Sequence, residues 1–185
     1  EREALPEASE ELGEEALPLL RELLTEALGE GLETAALCLS GGLDSSSVAA
    51  AWAMRGTPRC FIYGPQGAPD RERALEVSKA LGVEPVLLEP EGPAMLDELK
   101  ELVRILAIPG HIPGAPLPQF RLMRAMALAG VKTVFSGQGG DELLCGYPWH
   151  FPLAMKKLRN RDPEAAARLE ALHEEHPPFG PVELR

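Results

Sequence analysis

Apolar residues recur at helical spacing at the start of the chain, and then the period changes. Leu12, Ala16, Leu19, Leu20, Leu23, Leu24, Ala27 and Leu28 return every three or four positions, which predicts a helix over Ala8–Glu30 with one apolar face. The next run, Ala35-Ala36-Leu37-Cys38-Leu39, is continuously apolar and stops at Ser40-Gly41-Gly42. That is the pattern of a buried strand closed by a turn. Asp44–Met54 then reads as a helix. The alternation continues with a strand over Arg59–Tyr63 closed by Gly64-Pro65, a helix over Asp70–Leu81 closed by Gly82, a strand over Glu84–Leu88 and a helix over Pro93–Leu106. Ile108–Pro118 is too rich in proline and glycine for regular structure and reads as a loop. Phe120–Ala129 predicts a helix ended by Gly130, Val131–Phe135 a fourth strand, and Leu153–Arg159 and Pro163–His173 a helical tail.

Strands alternating with helices of this length indicate βαβ units. The expected fold is α/β, a doubly wound and mostly parallel sheet with helical additions at both ends, its crossovers right-handed. The expected organisation is a helical extension over residues 1–34, a central domain over 35–150 and a short helical tail over 151–185. A length of 185 residues supports one such domain.

Charge and cysteine content narrow the class of function. The formal net charge of -11 disfavours broad binding to a phosphate backbone, so no nucleic-acid partner is expected. Lys156, Lys157, Arg159 and Arg161 make a local basic cluster, read as a solvated helix end. No apolar run approaches the ~20 residues needed to cross a bilayer. The acidic start, EREALPEASEELGEE, is unlike a secretory signal, so a cytoplasmic protein with no membrane partner is expected. Cys38, Cys60 and Cys145 form no CxxC pair, which argues against structural zinc or a disulfide framework. Cys38 and Cys60 lie in strand-like runs, where a thiol acts as a small hydrophobe.

In a doubly wound sheet, ligands bind beyond the carboxyl ends of the strands, near a switch point. Two glycine-dense motifs sit at such ends. In Leu39-Ser40-Gly41-Gly42-Leu43-Asp44-Ser45-Ser46, Gly41 and Gly42 let the backbone approach a phosphate, and the following helix offers free N–H groups to an anion. Ser40, Ser45 and Ser46 add hydroxyl donors, and Asp44 supplies a hard oxygen for magnesium. The plain alternative is a strand-to-helix turn with Ser or Asp as the N-cap. The second motif is Ser136-Gly137-Gln138-Gly139-Gly140-Asp141-Glu142, after the fourth strand. Asp141 can supply a second carboxylate to the same magnesium if the first and fourth strands are neighbours. Alternatively, Asp141-Glu142 is an ordinary acidic helix start.

The first motif is not a Walker A sequence, since it lacks the GxxxxGK[ST] spacing. It resembles the PP-loop, SGGxDS, of the N-type ATP pyrophosphatases. With the second motif, the stretch from Ala35 to Tyr147 resembles the synthetase domain of asparagine synthetase and its relative β-lactam synthetase. Asp70, Ala74 and Gly82 match that family's D-x3-A-x7-G pattern, and Arg124 stands where the family commonly carries a similar residue. The resemblance implies an adenine-nucleotide-alpha-hydrolase-like fold, with ATP and magnesium as ligands. It implies that Ser40, Gly42, Asp44, Ser45 and Ser46 hold the pyrophosphate portion and that Asp44 and Asp141 bind magnesium. It also implies that Leu39, Ile62, Ser136 and Gly137 border the adenosine. The implied reaction adenylates a carboxylate acceptor, releases pyrophosphate and forms an amide, with Asp44, Gln138 and Asp141 at its centre.

The chain departs from the pattern in three places. Gln138 replaces the glutamate of asparagine synthetase, and a glutamine hydrogen-bonds but is no base. No glutaminase segment with a leading cysteine precedes the motif, so ammonia is expected from solution or a separate glutaminase subunit. The family's long helical carboxyl-terminal region, with its lysine, has no counterpart after Tyr147, so an acceptor-binding subunit is expected too. A homo-oligomer is a further expectation. His111 is a candidate for the substrate mouth, His173 and His176 are read as solvated, Trp149-His150 as packing the tail, and Cys145 as packing. Three readings compete: an amide-forming ligase, a nucleotide-binding subunit that needs a partner for catalysis, and a sulfur-transferring PP-loop enzyme acting on tRNA. The acidic charge and the missing CxxC stand against the third.

Overall fold

The two continuously apolar runs become the inner strands, β1 (Ala35–Cys38) and β2 (Cys60–Tyr63). The fold is described from a computed structural model over residues 16–90, 95–107, 116–144, 146–147 and 149–175. Two edge strands complete a four-stranded sheet, β3 (Val86–Leu88) and β4 (Thr133–Phe135), in the order β3-β2-β1-β4 with every pairing parallel. Ala35 pairs with Thr133 and Leu37 with Phe135, so the first and last strands are neighbours.

Both faces of the inner strands are covered, which is why their sequences do not alternate with polar residues. Ala35, Leu37, Leu39, Cys60 and Ile62 point into one core, with Ala49, Trp52 and Ala74 from the helices on that side. Ala36 and Phe61 point the other way and meet Met126, Leu122 and Ala125. The first core is built by α1 (Ala16–Ala27), α2 (Leu43–Ala53) and α3 (Pro69–Ala80), and the second by α5 (Pro116–Leu128), against which α4 (Met95–Leu106) packs. The chain thus winds outward over one face, crosses back over the other, and returns beside β1, which makes the β1/β4 boundary the switch point.

Two of the departures from the expected helix bounds have a plain local cause. The first ends at Ala27 rather than Glu30, because Gly29 turns left-handed at φ 62° and a single 3-10 turn, Leu32–Thr34, leads into β1. α5 begins at Pro116, inside the stretch expected to be a loop. Pro116 and Pro118 fall in its first turn, where a missing N–H breaks no helical hydrogen bond. Residues 8–15, 93–94 and 108–115 lie outside the described residues.

Polar staples tie the strand ends together. Arg71, 8% exposed, donates to the Gly64 carbonyl at 2.8 Å and to Glu89 Oε1 at 2.6 Å, joining the turns after β2 and β3. Arg121 donates from Nε to Glu98 Oε2 at 2.7 Å and from Nη1 to the Tyr63 hydroxyl at 3.2 Å. The Glu98 carboxylate holds this guanidinium still further toward its charged form. Cys38 and Cys60 are free thiols; burial raises Cys38 and pushes Cys60 up to about 11, so both stay protonated near neutrality and act as packing.

Contacts divide the chain into two compact units, Glu1–Gly137 and Gln138–Arg185. The second holds α6 (Gly140–Leu144), α7 (His150–Arg161) and α8 (Pro163–Glu175). Asp162 caps α8 by accepting from Ala165 N at 3.0 Å, with Pro163 at its first position. Arg159 reaches from α7 to Glu170 on α8 at 2.8 Å. Among the described residues no helix is long and apolar enough to cross a membrane.

Candidate functional site

The turn after β1 is held from within. Ser45, only 3% exposed, accepts from Ser40 N at 3.2 Å, lies 3.0 Å from the Ser40 hydroxyl, and donates to the Gly42 carbonyl at 3.2 Å. One buried hydroxyl therefore ties down both Ser40 and Gly42, and the Ser40 hydroxyl also accepts from Gly42 N at 3.4 Å. Gly42, in an extended conformation, is the N-cap of α2 and, as a glycine, brings no side-chain cap to that helix. The alternative of a Ser or Asp N-cap is thus not what the loop does. A helix start whose N-cap residue brings no side chain suits an anion at its first-turn N–H groups.

Two glycines have packing reasons the sequence did not reveal. At Gly41, where φ is +78°, a Cβ would fall 2.5 Å from Ala74 N and 2.8 Å from Arg73 Cβ. The phosphate-loop candidate is thus pressed onto the backbone of α3 at Arg73 and Ala74, the latter fully buried. At Gly137, a Cβ would fall 2.6 Å from Ser45 N and 2.9 Å from Asp44 Cβ. The turn after β4 is thereby pressed onto the start of α2, at the switch point.

The structure brings together Ser40, Gly41, Gly42, Asp44, Ser45, Ser46 and Gly137 within the first unit. Asp44 and Ser46 are half-buried, and the Ser46 hydroxyl is buried with no partner among the described residues. Ser136 follows β4 and is exposed. Leu39 and Ile62, 3% and 2% exposed, have their side chains in the core and offer only main chain to a ligand. Sequence reading missed Tyr63, next to Ile62 at the strand end. With Glu89, Glu98, Arg121 and Arg124 it lines a cavity of about 420 Å³. Nothing local signals that cluster, since its members come from β2, β3, α4 and α5. A larger groove of about 890 Å³, lined by Leu17, Arg21, Thr25, Met54 and Arg55, lies at the far end of α2 and away from this chemistry.

In the second unit Gln138 is exposed, and Asp141 opens α6. Gly146 N donates to the Asp141 carbonyl at 3.0 Å, and a Cβ on Gly146 would run into the Asp141 carboxylate. The Tyr147 hydroxyl donates to Glu142 Oε1 at 2.9 Å and holds that carboxyl below its ordinary range. Trp149 stacks on Tyr147 at 4.4 Å and has His150 at its edge, so this pair packs locally. His111, Cys145 and His176, and the side chain of His173, lie outside the described residues.

Among the described residues no three His, Cys, Asp or Glu side chains gather around one point. Magnesium bound with phosphates needs no such set, because it takes one or two carboxylates and completes its shell with water and phosphate oxygens. Asp44 beside an uncapped helix start, the unpartnered Ser46 hydroxyl and the two glycine contacts fit that kind of site.

The asparagine synthase family model matches residues 19–180. The chain is similar to asparagine synthetase 2 (glutamine-hydrolyzing) of Arabidopsis thaliana, 32% identical over 149 residues, covering 74% of this chain and 25% of that protein. It is 31% identical over 172 residues to the corresponding protein 2 of Oryza sativa subsp. japonica, covering 84% of this chain and 28% of that one. The chain thus spans about a quarter of the length of these curated relatives. Among solved structures, an NH3-dependent NAD synthetase from Campylobacter jejuni aligns with a TM-score of 0.46 at 20% identity, covering 72% of this chain and 59% of that one. On the family match and these relatives together, the chain belongs to the asparagine synthase family.

Proposed function

We propose that this chain is the nucleotide-binding part of an ATP-dependent amide-forming ligase. The observation that carries the reading is the loop Ser40–Ser46 at the β1/β4 switch point, uncapped at the helix start and clasped by Gly41 and Gly137. Polyphosphate oxygens accept from the first-turn N–H groups of α2 and from the Ser46 hydroxyl. Asp44 is the carboxylate that the first unit would offer to magnesium, and the family resemblance implies Asp141 as a second; the ion would neutralise charge on the phosphates. Ser136, Gly137 and the main chain at Leu39 and Ile62 border the adenosine.

In the reaction proposed, an acceptor carboxylate oxygen attacks the α-phosphorus, and the bond to the bridging oxygen of the β-phosphate breaks. Pyrophosphate leaves and an acyl-adenylate remains. Ammonia then attacks the acyl carbon, AMP departs, and the amide nitrogen gives up its proton to solvent. The chain's own residues contribute position and electrostatics rather than a covalent bond. Gln138 hydrogen-bonds and does not take a proton. Acceptor recognition and ammonia supply are assigned to partners beyond these residues, a separate glutaminase or acceptor-binding subunit among them.

The test is pyrophosphate–ATP exchange with magnesium and a panel of carboxylates that includes aspartate, run beside calorimetric titration of ATP. Magnesium-dependent ATP binding is expected. Asp44→Ala is expected to weaken it by about 2–5 kcal/mol, the range for loss of a desolvated charge contact. Wild-type nucleotide affinity in Asp44→Ala would sink the assignment of that carboxylate. Failure of the unaltered chain to bind ATP would sink the whole reading.

A further inference from the structure

The phosphate loop carries one carboxylate and no cation between Ser40 and Ser46, in a chain of net charge -11. A triphosphate arriving there meets Asp44 on the loop, and Asp70 and Glu72 in the first turn of α3. Its charge calls for a basic group close by, and the loop itself provides none.

Arg73 stands at the required place. Its Cβ lies 2.8 Å from where a Cβ on Gly41 would fall, so its stem leaves α3 directly against the tight turn of the loop. The guanidinium is not committed to the core: it pairs through Nη2 with Asp70 one turn back on α3, and the two side chains are 59% and 76% exposed. An exposed pair of this kind is weak and exchanges readily for a better anion. A guanidinium suits phosphate oxygens because its planar fork donates two parallel hydrogen bonds. Arg71 does not compete for the role, since it is buried on Gly64 and Glu89.

We propose that Arg73 is a polyphosphate-binding residue of this loop, parked on Asp70 and transferred to the β- and γ-phosphates when ATP enters. The inference rests on the nucleotide-binding reading above and deepens it. It gives the loop the positive charge that a Walker lysine supplies in other phosphate loops.

The experiment compares ATP, inorganic pyrophosphate and adenosine as ligands of the unaltered chain, Arg73→Ala and Arg73→Lys, all with magnesium. Arg73→Ala is expected to bind ATP and pyrophosphate about tenfold more weakly while adenosine affinity stays unchanged. Arg73→Lys recovers part of the loss, because charge returns without the fork. Thermal unfolding of Arg73→Ala is expected to match the unaltered chain, as the Asp70 pair is exposed. Equal ATP affinity in Arg73→Ala overturns the inference, as does a parallel fall for ATP and adenosine, which marks a structural role. In those two outcomes the unaltered chain still binds ATP and the nucleotide-binding reading stands. An unaltered chain that binds none of the three ligands overturns that reading and this inference with it.

Discussion

Two glycine-dense turns follow β1 and β4, and they use glycine for different physical reasons. In Ser40–Ser46, Gly41 is left-handed and packed onto the α3 backbone, and Ser45 is buried at the centre of a hydrogen-bonded knot. In Gln138–Leu144, Gly139 is left-handed at φ +95° with nothing within 4 Å of its Cβ position, and Leu143 is 84% exposed. Gly137 closes the first of these sites although it belongs to the second stretch of sequence. At Gly41 the reason is close packing as well as backbone angle, and at Gly139 it is backbone angle, a difference that similar composition conceals.

Substitution separates the two. Gly41→Ala meets both penalties, left-handed strain and a collision with backbone, and is expected to destabilise the chain by about 2–4 kcal/mol and to abolish ATP binding. Thermal unfolding and ATP titration measure it; a melting point unchanged from the parent would break the packing argument. Gly137→Ala has only the collision with Ser45 N and Asp44, worth about 1–3 kcal/mol. It is expected to lower ATP affinity more than stability, since the atoms it displaces are the loop's. Gly139→Ala has strain without collision and is expected to lose about 1 kcal/mol. A loss as large as that at Gly41 would show that the second turn is also packed.

The smallest effect is a titration. The Tyr147 hydroxyl is the largest influence holding the Glu142 carboxyl below its ordinary range. A depressed carboxyl contributes stability above its unfolded value and loses it as pH falls through the depressed folded value. Tyr147→Phe should therefore move the Glu142 titration upward, as read by carboxyl NMR shifts, with little change near neutral pH. An unmoved titration would take that hydrogen bond out of the account.

The strands were legible where burial was complete. Ala35–Leu39 and Arg59–Tyr63 read as strands because both faces are covered, and the structure shortens each by one residue. The third strand was overdrawn: Pro85 has no N–H for the ladder, so pairing starts at Val86. Pro116 and Pro118 misled in the opposite sense, because a proline in the first turn of a helix resembles one in a loop until the helix is seen. The short α6 fell below the length at which periodicity speaks. At the candidate site, the loop's residue types were legible from local spacing, but its clasp was not. Gly41 against Ala74, Gly137 against Ser45, and Tyr63 with Arg121 and Glu98 are contacts between distant segments, and no local pattern encodes them.

The pairing of Ala35 with Thr133 carries a consequence for how the protein is made. On the ribosome, β1 and its serine-glycine turn emerge early, yet the strand that flanks them emerges only after α5. Such non-local pairing is slow, because the whole intervening chain has to be ordered before the contact stabilises anything. Until β4 docks, β1 presents an open edge and the turn lacks the weight of Gly137 on its helix start. On the proposed function, competence to hold a nucleotide would therefore be a late acquisition of the nascent chain. ATP capture by stalled chains of increasing length would report closure of the sheet rather than synthesis of the loop.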